Sequence, residues 1–178
     1  MTAFLVHPFS ESRRLEDRQP TNDALARLKE TMPELTQYEC RCEGSNDYAT
    51  GLRVYWELAG DMIICEHDIV PTEDAIRSLL RCHELTCSVP YLLYPESTGL
   101  SHLIYSVQGT EWFTASRSAL GLVKLSASWR SRVPKPEYVD WRALDIQVNK
   151  LVEASGLRWH LHLSENIVHN HQSKIRSS

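Results

Sequence analysis

Glu66-His67-Asp68 closes a run of apolar residues, Met62-Ile63-Ile64-Cys65. Two carboxylates separated by one residue at a strand end can aim at one pocket. There their hard oxygens hold a divalent cation, which in turn bridges phosphates. Taken alone, the tripeptide fits a solvated strand end or a helix-capping acid just as well. A second group is His160-x-His162 followed by His169-x-His171. Residues i and i+2 of a strand share a face, so each pair can present two ring nitrogens. A polar strand face accounts for Trp159-His160-Leu161-His162 equally, and a zinc site of four histidines is conceivable although no HExxH helix accompanies it. Asp145, between Leu144 and Ile146 in an apolar-rich helix start, is the third candidate. It is either an exposed acid or a general base whose pKa burial would raise.

Bulk properties narrow the chemistry. The chain of 178 residues carries a net charge of -4 with a pI near 6.1, so no basic field points to nucleic acid. Five cysteines form an odd set without a CxxC pair, which reads as free thiols in a reducing compartment. The opening MTAFLVHPFSESRR has neither a basic n-region nor a long apolar stretch, and no segment is apolar enough to span a bilayer. A soluble, cytoplasmic protein is the expectation. The length suggests one domain over residues 1–171, with a polar tail over 172–178.

The elements that would position these residues alternate between strand and helix. AFLVH, closed by Pro8, predicts a first strand, followed by a polar loop containing Pro20. Thr21, Asn22 and Asp23 offer caps for a helix whose Ala24, Leu25 and Leu28 share a face. LTQYECRC alternates as a half-buried strand, and YATGLRVYWELAG has helical spacing. Met62–Cys65 predicts a central strand, and Thr72 caps the helix after it. ALGLVKLS predicts a strand or a short helix, Gly109–Trp112 a loop, and Asp140 to Gly156 frames a last helix. LRWHLHL and ENIVHNH close the chain as strand-like segments. The order predicts an α/β domain with a mostly parallel central sheet flanked by helices, and such sheets bind ligands beyond their strands' carboxyl ends.

Read in order, GDMIICEHDIVP resembles the strand and DxD signature of GT-A-fold, nucleotide-sugar-dependent glycosyltransferases, in an EHD variant found among compact bacterial and phage members. LDIQVNKLVEASG is similar to the family's ED-helix-G segment, with Gly156 eleven positions after Asp145. The ending IVHNH is similar to its V-x-H strand. The resemblance runs from about Leu35 to His171. It implies a GT-A-like (Rossmann-like) fold and Mn²⁺ or Mg²⁺ held by Asp68 with His169 or His171. It also implies a UDP- or GDP-sugar donor contacted by Glu66 and Asp68. Leu144 stands where the family carries Glu, which leaves Asp145, or Asp140 at the helix start, as the base. His7 stands where the family meets the nucleotide base, and Glu43 or Asp47 where an acid recognises the nucleotide.

The implied reaction is sugar transfer with inversion to an acceptor hydroxyl of a sugar or protein. Trp112 either lines the acceptor side or packs in the core. The short chain leaves room for a partner subunit, a homo-oligomer included. Two other readings stand beside it: a non-catalytic GT-A-like module binding a nucleotide or protein, and a metal-dependent nucleotidyltransferase.

Overall fold

A computed structural model describes residues 2–12, 15–44, 46–91, 107–111, 114–163 and 167–169. The chain begins β1 (Ala3–Phe9), α1 (Leu15–Thr31), β2 (Thr36–Arg41), α2 (Asp47–Trp56) and β3 (Asp61–Cys65). Both β2 and β3 pair with β1 in parallel. After β3 come β4 (Ile69–Val70), α3 (Glu73–Arg81), β5 (Thr86–Ser88), β6 (Val107–Glu111), β7 (Thr114–Ser118) and β8 (Leu122–Leu125). The short α4 (Ala127–Arg130), then α5 (Trp141–Ala154), β9 (Trp159–Leu161) and β10 (Val168–His169), complete the described elements.

The main sheet has the order β2-β1-β3-β8-β5-β9-β7-β6, and β4 and β10 form a separate antiparallel pair. By their pairings β2, β1, β3, β5, β9 and β6 run one way. The reversed β8 lies between β3 and β5, and β7 and β6 extend the β9 edge as an antiparallel pair. The expected α/β architecture with a mostly parallel central sheet is thus present.

Alternation along the strands divides the core into two layers. Phe4, Val6, Met62 and Ile64 face α2 and α5 through Leu52, Trp56, Leu144 and Val148. Leu5, Ile63 and Cys65 face α1 and α3 through Leu25, Leu28, Ile76 and Leu79. Every residue of β3 is buried, which explains its unbroken apolar run between two helical layers. Gly60, before β3, has φ of 101°, and a Cβ there would lie 2.6 Å from the Thr2 carbonyl oxygen. The Asp61 carboxylate accepts the Ala127 amide at 2.9 Å, so the Gly-Asp pair is architectural.

Helix ends follow local chemistry. Thr72 Oγ1 accepts the Ala75 amide at 3.1 Å, as its position predicts. Gly156, with φ of 68°, ends α5 in a Schellman arrangement: its amide donates to Glu153 O at 2.9 Å, and Leu157 N to Val152 O at 3.2 Å. The C-terminus of α2 is closed by buried Arg130, whose guanidinium donates to the carbonyls of Tyr55, Trp56, Leu58 and Gly60. A fixed cation fits the carbonyl-rich helix end.

Two local expectations change and one open alternative is resolved. The predicted loop before residue 21 is the first part of α1, which begins at Leu15 and encloses Pro20. Proline removes one helix hydrogen bond there, but Asp17, Thr21, Ala24, Leu25 and Leu28 are buried at helical spacing, and packing overrides propensity. ALGLVKLS resolves to strand β8, and residues 109–111 belong to β6 instead of a loop. Trp112, His171 and the 172–178 tail lie outside the described residues.

Candidate active site at the carboxyl end of β3

Beyond Cys65 the chain makes a tight turn, with Ile69 N donating to Glu66 O at 3.1 Å before β4 begins. Glu66 N donates to Gly121 O at 2.9 Å, which ties the turn to the segment leading into β8. His7, at the far end of β1, is buried and places Nδ1 2.9 Å from the Cys65 carbonyl. Its ring stacks on Phe9 at 5.7 Å. Three neighbouring segments therefore fix where Glu66 leaves the sheet.

Asp68 is buried, and half-buried His67 lies beside it with Nε2 3.9 Å from Asp68 Oδ2. Asp145 approaches from the second turn of α5, half-buried and held by the Leu120 amide. Burial raises its pKa to about 6 in spite of that hydrogen bond. The Glu66 carboxyl is held well above the ordinary range, first by burial and then by the charges of Asp145 and Asp68. The buried Tyr48 hydroxyl, from the first turn of α2, lies against Glu66 and favours its ionised form. The Tyr48 phenol itself is pushed up by burial and by the same carboxylates.

The turn after β3 and α5, far apart in sequence, thus share one acidic cluster. Such a group of oxygens opposes its own ionisation, and a divalent cation would relieve that repulsion. The pair β4–β10 brings another predicted residue close: His169 stands opposite Ile69 in register, next to Asp68 along the chain.

The other predicted residues have local partners. Asp47 accepts the amides of Glu43 and Gly44 at 2.9 and 2.6 Å, which lowers its pKa and shapes the turn into α2. Exposed Glu43 pairs with Arg41 at 2.5 Å. Asp140 precedes α5, and its carbonyl accepts from Ala143 N at 2.9 Å. Sequence reasoning missed Tyr48 and Asn149. Buried Asn149 receives the Ser118 amide and Trp159 Nε1 on Oδ1, and donates from Nδ2 to the carbonyls of Ser118 and Asp145. It locks the turn of α5 that carries Asp145 to β7 and β9. An Asn four residues after an acid, in a helix facing apolar neighbours, was the available signal.

A mostly parallel α/β sheet flanked by helices, with β8 reversed between β3 and β5 and β7 reversed between β9 and β6, is GT-A-like in fold. Among solved structures, A197 from STIV is similar over 92% of this chain and 83% of that one, with a TM-score of 0.63 and 15% identity. A mutant Drosophila β1,4-galactosyltransferase 7, in complex with manganese, UDP-Gal and xylobiose, is similar over 96% of this chain and 71% of that one. Its TM-score is 0.55 and its identity 12%. At these identities the likeness is one of fold. No family profile matches this chain, and neither does any curated protein. Among the described residues no helix is long and apolar enough to cross a membrane.

Proposed function

We propose that the chain is a metal-dependent glycosyltransferase that moves a sugar from a UDP- or GDP-sugar to an acceptor hydroxyl. The observation that carries this reading is the shared cluster of Glu66, Asp68 and Asp145 beyond the carboxyl end of β3. The carboxylate of Asp68 is a hard oxygen ligand suited to such a cation, and His169 or His171 is the histidine proposed to complete the set. Mn²⁺ or Mg²⁺ bound there supplies Lewis-acid stabilisation of the departing diphosphate. Glu66 contacts the ribose or sugar. Asp145, raised toward neutrality, takes the proton of the acceptor hydroxyl, and attack on the anomeric carbon from that side inverts it. His7 supports the site from beneath by fixing the Cys65 carbonyl. The galactosyltransferase structure, holding manganese and UDP-Gal on a similar fold, supports the ligand class. Five free cysteines support a reducing, cytoplasmic setting.

Calorimetric titration with UDP and GDP, with and without Mn²⁺, tests the reading. Metal-dependent binding that Asp68→Asn abolishes is expected. Asp145→Asn should keep nucleotide binding and lose turnover of the donor sugar. Absence of metal-dependent binding by either nucleotide would overturn the proposal, and pyrophosphate release from a nucleoside triphosphate would replace it with nucleotidyl transfer.

A further inference from the structure

The opposite face of the sheet carries a second constellation. His160 and His162 lie two apart on β9 and the residue after it, and their rings meet edge to face with centroids 5.2 Å apart. They point toward α3, away from Trp159 and Leu161, which pack in the layer beneath α2 and α5. Cys82, the C-cap of α3, joins them: one donor atom each from Cys82, His160 and His162 lies within 4.8 Å of the others. All three side chains are half-buried, near enough to the surface for an ion to enter.

We propose that Cys82, His160 and His162 form a binding site for zinc or a similar thiolate-seeking cation, clamping the end of α3 to β9. Zinc bonds of about 2.0–2.3 Å at tetrahedral angles place ligand atoms about 3.3–3.6 Å apart. A set already within 4.8 Å closes on the ion by side-chain rotation. One thiolate and two imidazoles suit zinc and exclude the hard cations that oxygen clusters prefer. Three protein ligands leave the fourth position to water.

The surroundings are those of a ligand set. Ser78 Oγ lies 2.6 Å from His162 Nδ1 and orients that ring, while His162 Nε2 is buried with no hydrogen-bond partner. An orienting partner on one nitrogen and an unmet need on the other is the usual state of a metal-binding imidazole. Cys87 Sγ donates to Cys82 Sγ at 2.9 Å. The Lys124 ammonium donates to the Cys82 carbonyl and fixes the end of α3. The site shares no residue with the acidic cluster.

Cobalt reports the two sites separately, because only a thiolate ligand gives sulfur-to-cobalt charge transfer in the near ultraviolet. The full chain, stripped with a chelator and kept under a phosphine reductant, should develop that band with one equivalent of Co²⁺ and lose it to Zn²⁺. Cys82→Ser should abolish the band, and His160→Gln and His162→Gln should each weaken Co²⁺ binding at least tenfold. Asp68→Asn should leave it unchanged. The proposal is overturned if the wild-type chain shows no band, if Cys82→Ser retains it, or if Asp68→Asn removes it. Half-exposed His160 supplies the decisive variant should Cys82→Ser fail to fold: unaltered affinity in His160→Gln also overturns the site.

Discussion

Glu66 and Asp145 are both tied to the segment leading into β8, Glu66 through its amide to Gly121 O and Asp145 through the Leu120 amide, and the Asp145 charge opposes ionisation of Glu66. Asp145 itself titrates near 6, against 3.8 for an ordinary aspartate, chiefly through burial. The folded protein therefore binds this proton more tightly than the unfolded chain. Its stability falls as pH rises from the unfolded value to the folded one, and stays reduced above. Asp145→Asn should gain about 1 kcal/mol at about pH 8, after allowance for partial exposure, and almost nothing at about pH 4. Urea unfolding at the two pH values checks this, and an equal gain at both would contradict it.

Asn149 holds α5 to β7 and β9 through three hydrogen bonds, and a fourth runs within α5 to the Asp145 carbonyl. Asn149→Ala strands the Trp159 indole and both backbone groups of Ser118 in the core. A loss of about 3 kcal/mol is expected. Donor turnover should fall further than nucleotide binding, because the helix turn that aims Asp145 loosens.

Arg130 replaces water for four carbonyls around the end of α2. Arg130→Met should cost about 3 kcal/mol, and Arg130→Lys should recover only part of it, since an ammonium cannot span four acceptors as the planar fork does. Thermal unfolding of both variants distinguishes this from loss of charge alone, under which lysine would restore stability in full.

Two glycines with positive φ should respond differently to alanine. Gly156 has nothing within 4 Å of a Cβ, so Gly156→Ala meets only backbone strain of about 1 kcal/mol. At Gly60 the Thr2 carbonyl stands 2.6 Å from that Cβ. Gly60→Ala should lose about 3 kcal/mol or more, because β1 must move as well. Comparable unfolding midpoints for the two variants would refute this.

Elements with strong local signals were legible in the sequence. β3 has its apolar run, α3 its Thr72 cap, and α5 its Gly156 stop. The long first helix was not, because Pro20 and three potential caps argue locally for a later start, and only burial of Asp17 and Thr21 settles it. The candidate site divides in the same way. Glu66, Asp68 and Asp145 have types and spacing that suggest chemistry. Tyr48 does not, since an aromatic in a helix reads as core until its hydroxyl is seen against a carboxyl. Cys82 escaped notice beside His160 and His162 because its approach depends on how α3 crosses the sheet.

The pairing of β10 with β4 has a bearing on how the chain folds. β1, β2 and β3 pair through short helical crossovers, so Glu66 and Asp68 can be set in place by contacts local to the first part of the chain. α5 and β10 must close much longer loops to reach them, and such contacts form later. An intermediate in which only β1, β2 and β3 have paired would still lack Asp145 and the β10 strand. The acidic cluster is then the last part of the fold to be assembled.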